Sequence, residues 1–322
     1  MSASKLLGSA AAAIVLLGAS SALAKEELKS SNPWRDTEID YEHGFSAYSL
    51  SKSADPTYNP YYVHVLTIAP QWHVGDYLVF KAKLAIEQEL TDADETTKKH
   101  EVNLSDLTFD IATPGITEGF TGIKIAGGVR FFFPTSKASQ ATTMYLAIGP
   151  GHNVSRKFPL LEGLNIGYGA RFNFAFHKFT TAQNNAPWVA CGSADSPACS
   201  QFVQTGVRNM WGQLLHGPTL NFVPVNGLNI DLGFTFINSF LYGLAGEPVM
   251  GDDKDVSVRR AQWFTASIGY DVLDYLTVSL GASTVYGDLS PDGKYRTPFF
   301  NRNTQLSLGL ALAIDPLIGK FQ

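Results

Sequence analysis

The sequence predicts an all-β fold: a single transmembrane antiparallel up-and-down β-barrel of about 12 strands. Three observations lead there. The first is the stretch Leu164–Phe176, LNIGYGARFNFAF. A strand turns successive side chains to opposite faces. Here Leu164, Ile166, Tyr168, Ala170, Phe172, Phe174 and Phe176 share one uncharged face, while Asn165, Gly167, Gly169, Arg171, Asn173 and Ala175 share the other. The stretch is longer than the usual strand of about 5–6 residues and can cross a hydrocarbon layer of about 30 Å at a tilt. The second observation is that this pattern recurs down the chain, and the third is that its connections alternate between short and long.

Composition and the N-terminus set the context. Of 322 residues, 45% are apolar, which is ordinary for a globular chain and too few for an α-helical membrane protein. The one long apolar run comes first. Lys5, the run Leu6–Leu17 and the small residues Ala22 and Ala24 read as a secretory signal peptide, residues 1–24, cleaved after Ala24. A net charge of −5 argues against a nucleic-acid partner. In an exported chain, the close pair Cys191 and Cys199 is expected to form a local disulfide, since no His lies nearby to complete a metal site.

Residues 25–43 lack a clear period and are expected to form a periplasmic arm or a plug, with the barrel running from 44 to 322. Strands are expected near Phe45–Ser51, Tyr61–Trp72, Tyr77–Leu90, Val102–Ala112, Gly122–Phe133, Met144–Phe158, Leu164–Phe179, Met210–Val223, Leu228–Tyr242, Gln262–Asp271, Leu276–Tyr286 and Asn303–Ile314. The third alternates well, with Leu78, Phe80, Ala82, Leu84 and Ile86 against Lys81, Lys83, Glu87 and Glu89. Connections near 73–76, 113–121, 158–163, 224–227 and 272–275 are short and rich in Gly, Pro or Asp; the others are mostly longer and more polar. Short turns on one side, long loops on the other and an even strand count are the pattern of a bacterial outer-membrane barrel. Aromatics such as Trp72, Tyr77, Tyr242, Trp263 and Tyr270 cluster at strand ends, where interfacial girdles belong. A soluble sandwich would instead carry Lys, Glu and Thr on its outward faces.

The closing strand, Ser307-Leu308-Gly309-Leu310-Ala311-Leu312-Ala313-Ile314, resembles the signal that outer-membrane barrels present to the barrel-assembly machinery. It departs from that signal by having Ile314 where an aromatic is usual. The whole chain is similar to porin-like outer-membrane β-barrels, and the segments ADPTYNPYY, PTSKASQATT and YRTPFFNR resemble an uncharacterised group of Gram-negative barrel proteins. The resemblance implies an outer-membrane location after passage through the periplasm, with lipid and lipopolysaccharide as surroundings. It implies no solute.

Folding the hairpins on paper brings charges together on the polar face. Lys81 falls opposite Asp110 and Lys83 opposite Asp106; across the next turn Asp110 meets Lys124 and Asp106 meets Arg130. Two rows, Lys81–Asp110–Lys124 and Lys83–Asp106–Arg130, therefore line the lumen, and opposite charges across strands stabilise each other by roughly 0.2–1 kcal/mol. Arg171 falls opposite Gly149 or Gly151, which leave it room to reach inward. These residues form either the constriction of a narrow pore for small polar solutes, with Lys124, Arg130 and Arg171 favouring anions, or a salt-bridged filling of a structural or receptor-type barrel that works through its outer loops.

An enzyme is the rival class. Twelve-stranded outer-membrane phospholipases place a Ser and a His on the lipid-facing wall. In Gly151-His152-Asn153-Val154-Ser155 the His and Ser have opposite parity, and His216 has no Ser or acid beside it on its face. No catalytic set is expected. Nor is a metal site or a cofactor, because the chain has no zinc spacing, nucleophile elbow or phosphate-cradling loop. The acid-rich loops at Asp92, Asp94 and Glu95 and at Asp252, Asp253 and Asp255 do not match a spaced calcium loop.

Overall fold

A computed structural model describes residues 32–47, 62–91, 100–185, 202–243, 256–287 and 295–319. The expected signal peptide, Cys191, Cys199 and the acidic loop residues lie outside this set. Alternating strands dominate. β1 (Glu38–Ser46) is followed by β2 (Tyr62–Ala69) and β3 (Gln71–Val74), two pieces of one wall strand broken at Pro70, which has no N–H for the ladder. β4 (Leu78–Glu89) comes next, then β5 (Val102–Leu104), β6 (Leu107–Ala112) and β7 (Ile116–Thr117), successive pieces of the fourth wall strand. The wall continues through β8 (Ile123–Phe133), β9 (Met144–Phe158) and β10 (Gly163–His177). A hairpin of β11 (Thr181–Asn185) and β12 (Phe202–Arg208) forms a separate two-stranded sheet. β13 (Met210–Val225), β14 (Leu228–Leu241), β15 (Val258–Leu273), β16 (Leu276–Gly287) and β17 (Thr304–Ala313) complete the wall.

Every pair is antiparallel, and β1 pairs with both β2 and β17, so the sheet closes into a twelve-stranded barrel. Closure leaves no edge strand. The faces follow the alternation. On β10, Ile166, Tyr168, Phe174 and Phe176 are exposed while Gly167 and Ala175 are buried. On β16, Leu280 points outward with 62% of its surface exposed, and on β15 Ile268 does so with 52%. The buried apolar cluster is small, Val63, Val65 and Ala85 on the inner wall of β2 and β4. The oily surface is therefore on the outside, the reverse of a soluble sandwich.

The short connections, such as Gly75–Tyr77 and Asp274–Tyr275, lie at one rim. The described ends of the chain meet there: Asn32 Nδ2 donates to Asp315 Oδ1 at 2.6 Å, and Ile314 N–H to Thr37 O at 3.0 Å. The first strand begins earlier than the sequence pattern suggested. Glu38–His43 belong to the wall, so the first strand is 38–46 rather than 45–51, and of the expected arm only 32–37 of the described residues stay off the wall. The reason is that Ile39, Tyr41 and Phe45 face outward while Glu38, Asp40 and Glu42 face inward, an alternation obscured by a histidine on the oily face. The last strand ends at Ala313, where a short helix, Ile314–Gly319, begins.

The wall at residue 217 requires glycine. A Cβ at Gly217 would lie 1.8 Å from Phe234 O. The backbones of β13 and β14 approach this closely beside Pro218, which offers no ladder N–H. At the long-loop rim, residues 297–303 fold down over the outside of β16. Thr284 and Thr304 bond each other at 2.9 Å beneath them, and the Phe299 ring packs against Phe264 and Phe234 at 5.1 and 6.4 Å.

Candidate functional site: a charged level in the lumen

Most inward side chains are polar or small, with Leu215, Ile237 and Trp263 as bulky apolar exceptions, and they are unevenly spread. β1 contributes Glu38, Asp40 and Glu42. β4 contributes Lys81 and Lys83, which interact with those acids across β2, whose inward Thr67 and Ala69 are small enough to allow it. Asp110 on β6 is the register partner of both Lys81 and Arg130. Arg130 Nε donates to Asp110 Oδ1 at 2.7 Å, with the two side chains 21% and 12% exposed.

Arg171 is the register partner of Gly151 and lies over Gly149 as well. A Cβ at Gly149 would come within 2.1 Å of Asn173 Oδ1 and 3.0 Å of Arg171 Cδ; one at Gly151 would be 3.2 Å from Arg171 Nε. The glycines hold this pocket of wall open. Beside it an amide ladder continues the level, with Asn173 Nδ2 donating to Gln213 Oε1 at 3.4 Å and Gln213 Nε2 to Ser239 Oγ at 3.2 Å.

Strand registers fix relative heights. Traced around the wall, the pairings return to β1 displaced by about 16 residues, so equal height on the opposite strand, β10, lies about eight residues lower than the hydrogen-bonded row. Arg171 thus faces Glu42 across the lumen at one height. Asp40, Lys83, Asp110 and Arg130 lie up to about two residues below that level. On β14–β17 the inward residues within about two residues of that level are Gly233 and Thr235, then Trp263, Thr265 and Ser267, Gly281 and Ser283, and Ser307 and Gly309, with Asp231 and Ser279 about three residues below it. One half of the ring is long and charged; the other is mostly short, with Trp263, whose Nε1 donates to Ser283 Oγ at 2.9 Å, as a bulky exception. Twelve strands about 4.8 Å apart and tilted about 40° give a backbone radius of about 12 Å.

The paper pairings differ from this arrangement at three residues. Lys83 pairs with Thr108, not Asp106. Asp106 sits where the register slips by one residue between β5 and β6, a bulge that re-aims the side chain. Its Oδ1 accepts from Ser136 N–H at 3.0 Å and its Oδ2 from Ser139 Oγ, which fixes the short helix Lys137–Ala141 at the long-loop rim. Asp106 therefore belongs to a loop anchor, and Arg130 bonds Asp110 instead. Lys124 pairs with Thr117 and Ser155, below the charged level, because the turn is centred near residue 120 rather than 117–118. The acids of β1 were missed with that strand, though their alternation with Ile39, Tyr41 and Phe45 was the signal. His152 and Ser155 face opposite sides of β9, and His216 bonds Tyr168 Oη at 2.6 Å.

A closed antiparallel wall, oily outside and largely polar within, is the architecture of a transmembrane β-barrel. Among solved structures the chain is similar to the NanC porin (TM-score 0.44, 11% identity, covering 86% of this chain and 99% of that one). It is also similar to the KdgM porin (TM-score 0.43, 7% identity, 86% and 99%) and to the transport unit of the autotransporter AIDA-I from Escherichia coli (TM-score 0.37, 10% identity, 96% and 98%). No protein-family model and no curated protein matches the sequence.

Proposed function

We propose that the protein is a narrow pore of the outer membrane for passive passage of small polar solutes, reached by export through the periplasm, and that it is not an enzyme. The observation that carries this reading is the uneven ring. Long charged side chains occupy the β1–β10 half, while Ser, Thr and Gly occupy most of β15–β17 within about two residues of that height, Trp263 excepted. A filling would need bulk on both sides. Glu42 and Arg171 face each other across the passage, so a solute with separated opposite charges can orient between them, and Arg171 attracts an anionic group as it enters.

Single-channel recording of folded protein in a planar bilayer tests this. Discrete conductance steps are expected, and Arg171→Gln should shift the reversal potential in a salt gradient toward cation preference. Silent bilayers from protein shown to be folded would overturn the pore.

A further inference from the structure

The outward face of β1 and β2 carries a feature that the pore does not use. The tripeptide Tyr-x-His occurs on both strands, as Tyr41-Glu42-His43 and Tyr62-Val63-His64. The register sets His43 directly opposite His64. Antiparallel pairing then places each tyrosine diagonally across from the other strand's histidine. Tyr41 Oη lies 2.8 Å from His64 Nδ1, and Tyr62 Oη lies 2.8 Å from His43 Nδ1. The four rings form one cluster, with the imidazole centres 4.7 Å apart.

Ionisable side chains on a lipid-facing wall are costly and point to a function. The surroundings offer these two no counter-charge: their outward neighbours are Leu308 on β17 and Gln88 on β4. A phenol oxygen that accepts from Nδ1–H leaves the Nε2 lone pair available, the arrangement in which histidines bind metals. The spacing fits. At a metal–nitrogen distance of about 2.0–2.1 Å, a metal lies about 3.2 Å from each ring centre, so centres 4.7 Å apart subtend about 95°. That suits a square-planar or a compressed tetrahedral ion.

We propose that His43 and His64 form a two-histidine site for a first-row divalent metal on the outer wall, with Cu²⁺ bound most tightly, as the Irving–Williams order requires. Tyr41 and Tyr62 orient the rings. Among the described residues no third His, Cys, Asp or Glu completes a larger set, so the remaining positions belong to water, and the site is an exchangeable one. His64, Gln88 and Tyr62 lie toward the long-loop rim and give the ion a polar approach.

The test is Cu²⁺ titration of tag-free, full-length mature protein folded in detergent micelles, followed by calorimetry and electron paramagnetic resonance. One ion per chain is expected, with hyperfine structure from two nitrogens. His43→Ala and His64→Ala should each weaken binding at least tenfold. Tyr41→Phe with Tyr62→Phe should weaken it by 10-fold or more while keeping the two-nitrogen signal. His216→Ala should leave it unchanged. Undiminished binding in the double variant His43→Ala/His64→Ala would overturn the site, as would a wild-type spectrum without two-nitrogen structure.

Discussion

At the residue scale, the decisive pair is Arg130 and Asp110. Their hydrogen bond spans adjacent strands at 2.7 Å, and both side chains are largely buried. Removing one charge leaves the other partly desolvated, which costs more than losing an exposed pair. Asp110→Asn should therefore lower stability by about 1–3 kcal/mol, measured by guanidinium unfolding in micelles. Parity alone put Lys81, Asp110, Arg130 and Arg171 on the polar face. Their partners were less legible, because a turn centre misplaced by two residues moves every pairing across the hairpin. Gly151 beneath Arg171 was legible because only one connection, the short turn at 158–163, had to be placed.

At the element scale, Asp106 shows what a sequence period conceals. Strand alternation assumes an unbroken ladder, and nothing in Ser105-Asp106 announces the bulge that turns this carboxylate to the rim. Once there it holds Ser136 and Ser139 at the start of the short helix Lys137–Ala141. Asp106→Ala should speed amide hydrogen exchange over 136–142 several-fold and leave conductance unaltered; slower or unchanged exchange would show that the helix does not depend on this anchor. The long strands β9, β10, β13 and β14 were readable to within a few residues, since each presents a mostly oily face, broken only by residues such as His152 and Arg156 on β9 and His216 on β13. β1 was not. Its inward row opens with three acids and its outward row contains His43, so its alternation looked like a polar lead. The hairpin β11–β12 escaped because it stands off the wall, where no membrane imposes a period on its residues.

At the scale of the whole molecule, the closed barrel followed from features that act together: oily alternation, an even strand count, and short turns opposite long loops. What the sequence could not supply was the stagger that brings Glu42 and Arg171 to one height, because it accumulates from registers all around the wall. That stagger turns scattered charges into one ring with a long half and a short half. If the short half is the passage, bulk placed there must close it. Ser279 faces the lumen and its neighbour Leu280 faces lipid, so two adjacent substitutions separate the wall's two sides. Single-channel conductance of Ser279→Trp and Leu280→Trp, each checked for folding, is the most direct measurement. The uneven ring predicts a reduction of severalfold or more in Ser279→Trp and a wild-type value in Leu280→Trp. Equal conductance in both variants would contradict it.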